Sequence, residues 1–373
     1  MTQRQTPPFR ADHVGSLLRP AVLHEARRQA AQGAITAEQL RAAEDEAIRG
    51  VVDMQRKVGL RSATDGEFRR SSWHMDFIYQ LDGISTSDEK LHVTFRNADG
   101  ELEFSPSGLK VDGKVGLRHT IFGDHFDFLQ STVDTGVMPK LTIPSPSMVY
   151  YRGGRAAVDL GVYPDLDDFF ADLGAAYAAQ VAAVGERGCR YLQLDDTSLA
   201  YLNDPNQREF VAEMGFDPET LHLRNIRTMN AAIAAKPDGM AITTHLCRGN
   251  YRSSWAAEGS YDFVAEALFN ELDVDGYFLE FDDERSGGFE PLRHVPKDKY
   301  VVLGLVTTKR GELETVDGLR RRIDEASRYI DVDQLCLSPQ CGFSSTEEGN
   351  DITEDEQIRK LELIVETAAK VWG

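Results

Sequence analysis

Short apolar runs alternate with stretches of helical periodicity along most of the chain. Eight of these runs read as strands, at residues 11–15, 62–66, 140–144, 191–195, 240–246, 276–281, 300–307 and 334–338. Several are continuously apolar rather than alternating, the pattern of parallel strands covered on both faces. Between them, spacing predicts helices at about 36–57, 166–184, 217–235, 253–268, 316–328 and 353–370. The 36–57 helix has a readable start: Thr36 and Gln39 are placed as a capping box, and Ile35 and Leu40 as its hydrophobic staple. Eight strands with interposed helices predict an α/β chain folded as a single closed (β/α)8 TIM barrel over residues 1–373. An open doubly wound sheet is the alternative, but no glycine fingerprint follows the first strand. Residues 91–119 break the repeat. There "LHVTFRNADGELEF" alternates around Asp99-Gly100, which predicts a hairpin excursion from the loop face of the barrel. Residues 1–9 are polar and proline-containing and are expected to be flexible.

Charge narrows the partners. The chain has 61 acidic and 41 basic side chains, a formal charge of −20 at pH 7, and no basic stripe of the kind nucleic-acid binders carry. Its densest basic run, residues 319–322, lies in a helical pattern beside Asp324 and Glu325 and reads as a solvated face. No run approaches the 18 or so apolar residues of a spanning helix, and residues 1–10 lack the apolar region of a signal peptide, so neither nucleic acid nor membrane is expected as a partner and a cytoplasmic location is. Four cysteines are too few for a disulfide scaffold, which leaves core packing, nucleophile or metal ligand as their roles.

The chemistry concentrates at strand ends. "AITTHLCRGN" places His245 and Cys247 two residues apart, on one face of a strand end. Glu280 ends the next predicted strand and Cys341 follows the eighth. The intervals of 33 and 61 residues correspond to about one and two βα units, so all four side chains are expected on the functional face. One imidazole, two thiols and a carboxylate make a tetrahedral zinc set. Against this, an H-x-C pair lacks zinc-finger spacing, and an isolated cysteine is more often a small buried hydrophobe. Cys189 and Cys336 take that plainer reading. A site with two cysteine ligands and a carboxylate suits thiol alkylation better than hydrolysis by metal-bound water, which more often recruits several histidines.

With these residues in place the sequence resembles the cobalamin-independent methionine synthase superfamily, in particular its catalytic C-terminal barrel and shorter relatives. The resemblance covers the chain from about His13 to the last helix. It implies zinc held by His245, Cys247, Glu280 in "YFLEFD" and Cys341 in "SPQCG", with no cobalamin. The implied reaction is methyl transfer from a methyltetrahydrofolate to the thiol of homocysteine. "HVGSLLRP" resembles the family motif that places Ser16 at the homocysteine carboxylate. "DGEFRR" and "LQLDD" make Glu67 and Asp195 partners of its ammonium, with Asp196 where the family has Glu. Carboxylates suit an ammonium because they carry full charge and accept several hydrogen bonds. A salt-bridged loop role is the alternative for each.

The departures bear on the donor and on proton transfer. Where the family has an Asp-x-His-Ser stretch, "GLVTTKRG" supplies Lys309, an electrostatic group before it is an acid. No Trp follows "IPSPSMVYYRGG", so Tyr150 or Tyr151 is the available ring face for a pterin, with ordinary packing the alternative. His13, at the first strand end, is a candidate acid–base residue in the mouth, or else a structural histidine. Trp73 and His74 form a candidate side wall. Arg248, just beyond the ligands, suits a carboxylate or polyglutamate tail. His24, His92, His119, His222 and His294 are at no predicted carboxyl end of a strand. A related thiol alkyltransferase, such as an epoxide-to-coenzyme-M enzyme, and a noncatalytic zinc-stabilised barrel are the competing functions.

Overall fold

A computed structural model describes residues 4–373 except 92, 98, 99 and 106. Among the described residues twelve strands are assigned. β1 is Ser62–Ala63, β2 Asp82–Lys90, β3 Val93–Asn97, β4 Gly100–Phe104, β5 Ser107–Gly116, β6 Met138–Pro139, β7 Leu141–Pro144, β8 Tyr191–Asp196, β9 Ala241–Leu246, β10 Gly276–Glu280, β11 Tyr300–Val306 and β12 Leu335–Pro339. β7 to β12 form one parallel sheet in sequence order. Its strands are buried almost throughout, as continuous apolar runs require when helices cover the outside. β1 pairs in parallel with β6, and Lys140 N–H donates to the Ala63 carbonyl at 2.8 Å, which carries the pairing toward β7.

The expected first strand is reduced to one bridge, Ala11 with Leu337 of β12. It meets β1 through Leu17 N–H to the Gly66 carbonyl (3.1 Å) and Thr64 Oγ1 to the Gly15 carbonyl (2.6 Å) rather than through a ladder. Gly15 has φ +147°, and a Cβ there would lie 2.6 Å from Thr142 Cγ2, so the chain turns where any other residue would collide. Within the segment expected to be flexible, Pro7, Pro8 and Phe9 are buried.

Facing strand residues enclose a small apolar cluster of Val14, Phe278, Val302 and Cys336. Near it lies a buried ion pair: Lys140 Nζ is 3.4 Å from Asp12 Oδ1, with both side chains fully enclosed. Asp12 also accepts from Tyr191 Oη, Ser62 Oγ and the backbone N–H groups of Phe9 and His13, while Lys140 donates to the His13 carbonyl. Breaking such a pair on one side costs roughly 3–5 kcal/mol, because the remaining charge is stranded. Lys140→Met is expected to lose stability on that scale in urea titrations, and Asp12→Asn in the same chain to restore part of it.

The helix at Ala37–Lys57 has both halves of the Thr36–Gln39 capping box, and a second box, Thr353 with Glu356, opens the helix at Glu354–Trp372. Helices at Leu166–Glu186, Leu221–Ile233 and Val316–Ala326 fall where periodicity placed them. The one expected at 253–268 is shorter and later, at Ala265–Glu271. Arg252 and Ser253 have left-handed backbones (φ 47° and 62°), and Trp255 exchanges backbone hydrogen bonds with Arg96 of β3 (2.7 and 2.9 Å). That tertiary pairing overrides the local helical pattern. Helices at Ala21–Ala31, Gly123–Thr132 and Pro205–Glu213 were not foreseen.

The hairpin excursion is larger than expected. β2 pairs antiparallel with β5, and β3 with β4, so four strands between Asp82 and Gly116 stand apart from the six-stranded parallel sheet. Of the residues expected to make the turn, Asp99 lies outside the described residues, as does His92. No helix is long and apolar enough to cross a membrane among the described residues.

Candidate active site

His245 is the last residue but one of strand β9, Cys247 lies one residue past its end, Glu280 at the end of β10, and Cys341 two residues past β12. The parallel register sets His245 beside Phe278 on one side and Asp195 on the other. One ligand atom from each of His245, Cys247, Glu280 and Cys341 lies within 4.8 Å of the others, and all four residues are buried. The two Sγ atoms are 3.4 Å apart. Gly249 N–H donates to Cys247 Sγ (3.3 Å) and Arg248 N–H to Glu280 Oε1 (3.0 Å), so the loop after β9 orients two of the four groups.

The electrostatics are those of a cation site. Burial pushes the Glu280 carboxyl up to about 7, reinforced by the Cys341 thiolate. The Cys341 thiol is held well below its ordinary range by the Cys247 hydrogen bond and by His245, against burial. His245 is burdened by burial, yet the negative groups of Cys341, Asp195 and Glu280 raise it to about 9. Both ring nitrogens of His245 and Oε2 of Glu280 are buried without a hydrogen-bond partner among the described residues. Orphaned acceptors converging with two thiols fit a divalent metal, and imidazole, sulfur and carboxylate donors together suit zinc.

A cavity opens beside this cluster, lined by His245, Cys247 and Cys341 and by Ser16, Glu67 and Asp195. Glu67 follows the tight Gly66 turn with φ 62°; its Oε1 accepts from Thr142 Oγ1 at 2.8 Å, while Oε2 has no partner among the described residues. Burial raises the Glu67 carboxyl, partly opposed by Arg70 at 3.5 Å. Asp195 accepts from Gln193 Nε2 at 2.7 Å and is pushed up to about 7 by burial, with the Glu67 charge adding to the rise. Two buried carboxylates that are only partly compensated, Glu67 by Arg70 and Asp195 by the Gln193 amide, suit a cationic ligand. Ser16 is pinned against the Cys341 loop: a Cβ on Gly342 would lie 1.9 Å from its Oγ. Only glycine permits that approach.

Trp73 and His74 line the cavity as a side wall, their rings 4.4 Å apart. Its roof comes from the projecting strands, through Leu91, Val93, Phe95, Phe104 and Leu109. Tyr251, from the loop after β9, packs against Phe95 and Phe104 at ring distances of 5.5 and 4.8 Å.

Other expected site residues are placed elsewhere. His13 is not in the mouth. Val14 lines the cavity, so period-two alternation turns His13 away, toward Ser62 and Gln55, where burial lowers its pKa to about 4. Asp196 is turned away from Asp195 in the same manner: its carboxylate accepts from Ser145, Ser147, Ser198 and the Leu199 N–H, and it anchors the turn after β8. Arg248 is fully buried, donating to the Gly259 carbonyl with its guanidinium over the Tyr261 ring, so it does not offer its charge to the cavity. Tyr150 donates to Asn225 and packs edge-on to Phe169, Phe170 and Phe216, and Tyr151 is buried against Tyr201; neither ring lines the cavity. Lys309 is near the cluster but also off the cavity, donating to Asn250 Oδ1 (3.0 Å) and the Ser254 carbonyl (3.2 Å). Asn250 in turn donates to the Gly342 carbonyl, so Lys309 braces the loop that carries Cys341. Cys189 and Cys336 are buried outside the four-residue group.

Residues 120–370 match the family described as "Cobalamin-independent synthase, Catalytic domain". The chain belongs to that family. Three comparisons extend over nearly its whole length. It is 48% identical to the uncharacterized Bacillus subtilis protein YxjH, over 99% of this chain and 96% of that one. A Listeria monocytogenes structure assigned as a vitamin-B12 independent methionine synthase superposes with a TM-score of 0.79 at 38% identity, covering 99% of this chain and all of that one. A B12-independent methionine synthase from Shewanella, solved in complex with selenomethionine, has a TM-score of 0.72 at 18% identity, covering 96% of each chain, and shows the common fold.

Arg152 is one of several cavity residues that sequence reasoning overlooked, with Met148, Thr197 and Tyr201. It follows the two tyrosines in "YYRGG", and its neighbours drew attention as ring faces while the charge beside them did not.

Proposed function

We propose that the chain is a single (β/α)8 catalytic barrel that transfers a methyl group to the thiol of homocysteine, giving methionine. The observation that carries this reading is one cavity shared by thiol-friendly metal ligands and two buried, only partly compensated carboxylates. Zinc bound by His245, Cys247, Glu280 and Cys341 would hold the substrate sulfur as thiolate near neutral pH. Glu67 and Asp195 hold the substrate ammonium, and Ser16 receives its carboxylate. Lys309 keeps the Cys341 loop in register through Asn250. The apolar roof excludes water from the sulfur, which sharpens every charge interaction beneath it. The Shewanella relative was solved in complex with selenomethionine, an amino acid of the product's shape, and the same class of ligand is proposed for this chain. The methyl donor is a methyltetrahydrofolate in this reading.

The direct test is turnover: zinc-loaded protein with homocysteine and 5-methyltetrahydrofolate should form methionine without cobalamin, and chelation should stop it. A binding measurement supplements it. A free thiol has a pKa near 8.5 and is mostly protonated at pH 7. Homocysteine binding should therefore release a proton, and its calorimetric heat should vary with the ionisation enthalpy of the buffer. Heat independent of buffer, with homocysteine bound, would rule out capture as thiolate.

A further inference from the structure

Two of the groups in the acceptor pocket are not held by the parallel sheet. Asp195 is fixed in register between Pro144 of β7 and His245 of β9. Glu67 instead stands past the two-residue strand β1, in a left-handed turn (φ 62°), and Cys341 lies beyond the end of β12. Arg19 joins these two loops. Its Nη2 donates to the carbonyls of Glu67 (2.9 Å) and Arg70 (2.8 Å). Its Nη1 donates to Ser344 Oγ (2.7 Å) and to the carbonyls of Ser344 (3.3 Å) and Thr346 (3.2 Å), in the loop that follows Cys341. These acceptors are neutral, and Arg19 is buried, with its pKa lowered by burial to about 10, so the guanidinium stays charged near pH 7. A charge buried on neutral acceptors is expensive. What this one secures is geometry, because the rigid fork reaches in two directions at once and the single ammonium of a lysine does not. The same segment acts at a second level: the Ser16 carbonyl accepts from Phe343 N–H (3.0 Å), while Leu17 N–H donates to the Gly66 carbonyl (3.1 Å). Arg27 bridges the two loops again, from the carbonyls of Phe68 and Arg70 to the Glu347 carboxylate.

We infer that Arg19 is a positioning residue that sets the spacing between Glu67 and the Cys341 loop, and that this spacing selects the acceptor by the length of carbon chain between its thiol and its amino group, homocysteine over cysteine. The inference rests on the methyl-transfer reading for the acceptor site. With sulfur held at the metal and the ammonium held at Glu67 and Asp195, the two ends of the substrate are fixed points. Only a chain of matching length satisfies both, and only while the frame between them is rigid.

Calorimetry on the zinc-loaded protein tests it, with homocysteine, cysteine and ethanethiol as the probes. Wild type should prefer homocysteine to cysteine by about ten- to two-hundredfold, the range that one methylene supplies. Arg19→Lys keeps the charge but not the fork, and should lower that ratio about tenfold while zinc content stays at the wild-type level. Ser344→Ala removes one acceptor and leaves Arg19 in place; its ratio should fall about threefold. Arg27→Gln loosens the same two loops without touching the Glu67 carbonyl or Ser344, and should lower the melting temperature while leaving the ratio unchanged. The proposal is overturned if wild type does not discriminate between homocysteine and cysteine, if Ser344→Ala and a folded Arg19→Lys keep the wild-type ratio, or if Arg27→Gln lowers it equally. Should Arg19→Lys not fold, Ser344→Ala decides alone. Failure of the methyl-transfer reading is distinguishable: wild type would then bind homocysteine no more tightly than ethanethiol.

Discussion

Cys247→Ser and Cys341→Ser should each lose most of the metal and at least about a thousandfold in methyl transfer, while helical circular dichroism stays that of the parent. Each residue offers one of only two thiols in a cluster whose ligand atoms lie within 4.8 Å of one another, and a hydroxyl is a far poorer zinc donor than a thiolate. The thousandfold loss corresponds to about 4 kcal/mol of transition-state stabilisation. Cys336→Ser is the internal control. Cys336 packs with Val14, Phe278 and Val302, so its replacement should lower stability and leave the metal in place, at about one zinc per chain. Retention of zinc in both ligand variants would refute the assignment of the cluster.

Glu67→Gln and Asp195→Asn should weaken homocysteine about ten- to a hundredfold each, and should leave a simple alkyl thiol and the zinc content nearly unaffected. The magnitude is that of hydrogen bonds to charged groups. The comparison also separates methionine formation from transfer to a sulfonated thiol, which has no ammonium to place between two carboxylates. Glu67→Gln carries a second consequence. Burial raises the Glu67 pKa in the folded chain, so the folded state holds that proton more tightly than the unfolded state. Its stabilising contribution is present below the unfolded carboxylate pKa, near 4.3, and is lost as pH rises through the folded value. Above the unfolded value, burial of a carboxyl only partly partnered by Arg70 weakens the substrate-free protein. Glu67→Gln should therefore raise the melting temperature near pH 7, by an amount that shrinks as the pH approaches 4. Unchanged homocysteine affinity together with an unchanged melting temperature would remove Glu67 from the site.

The order of strands and the four clustered ligands were legible because both follow from local pattern: continuous apolar runs mark the parallel strands, and reactive side chains stand at their ends. The misplacements share a cause. His13, Asp196 and Arg248 are each adjacent in sequence to a residue that does line the cavity, namely Val14, Asp195 and Cys247. Where the backbone is extended, neighbouring side chains point to opposite faces, so nearness to a site residue argues against sharing its site. Tyr150 was misread for a different reason, since a buried ring with a satisfied hydroxyl looks in sequence like a ring awaiting a ligand. The hairpin that roofs the cavity was legible from its alternation, but its seat over the mouth was not: β3 is tied to the loop at Trp255, a pairing 159 residues apart in the chain that no local pattern encodes.

The central claim is that the metal cluster captures the acceptor sulfur itself. Zinc-edge X-ray absorption on the protein before and after homocysteine measures this directly. The account predicts two sulfur scatterers at about 2.3 Å in the free protein, from Cys247 and Cys341, and a third at a similar distance once homocysteine is bound. A sulfur shell that stays at two under saturating homocysteine would contradict it.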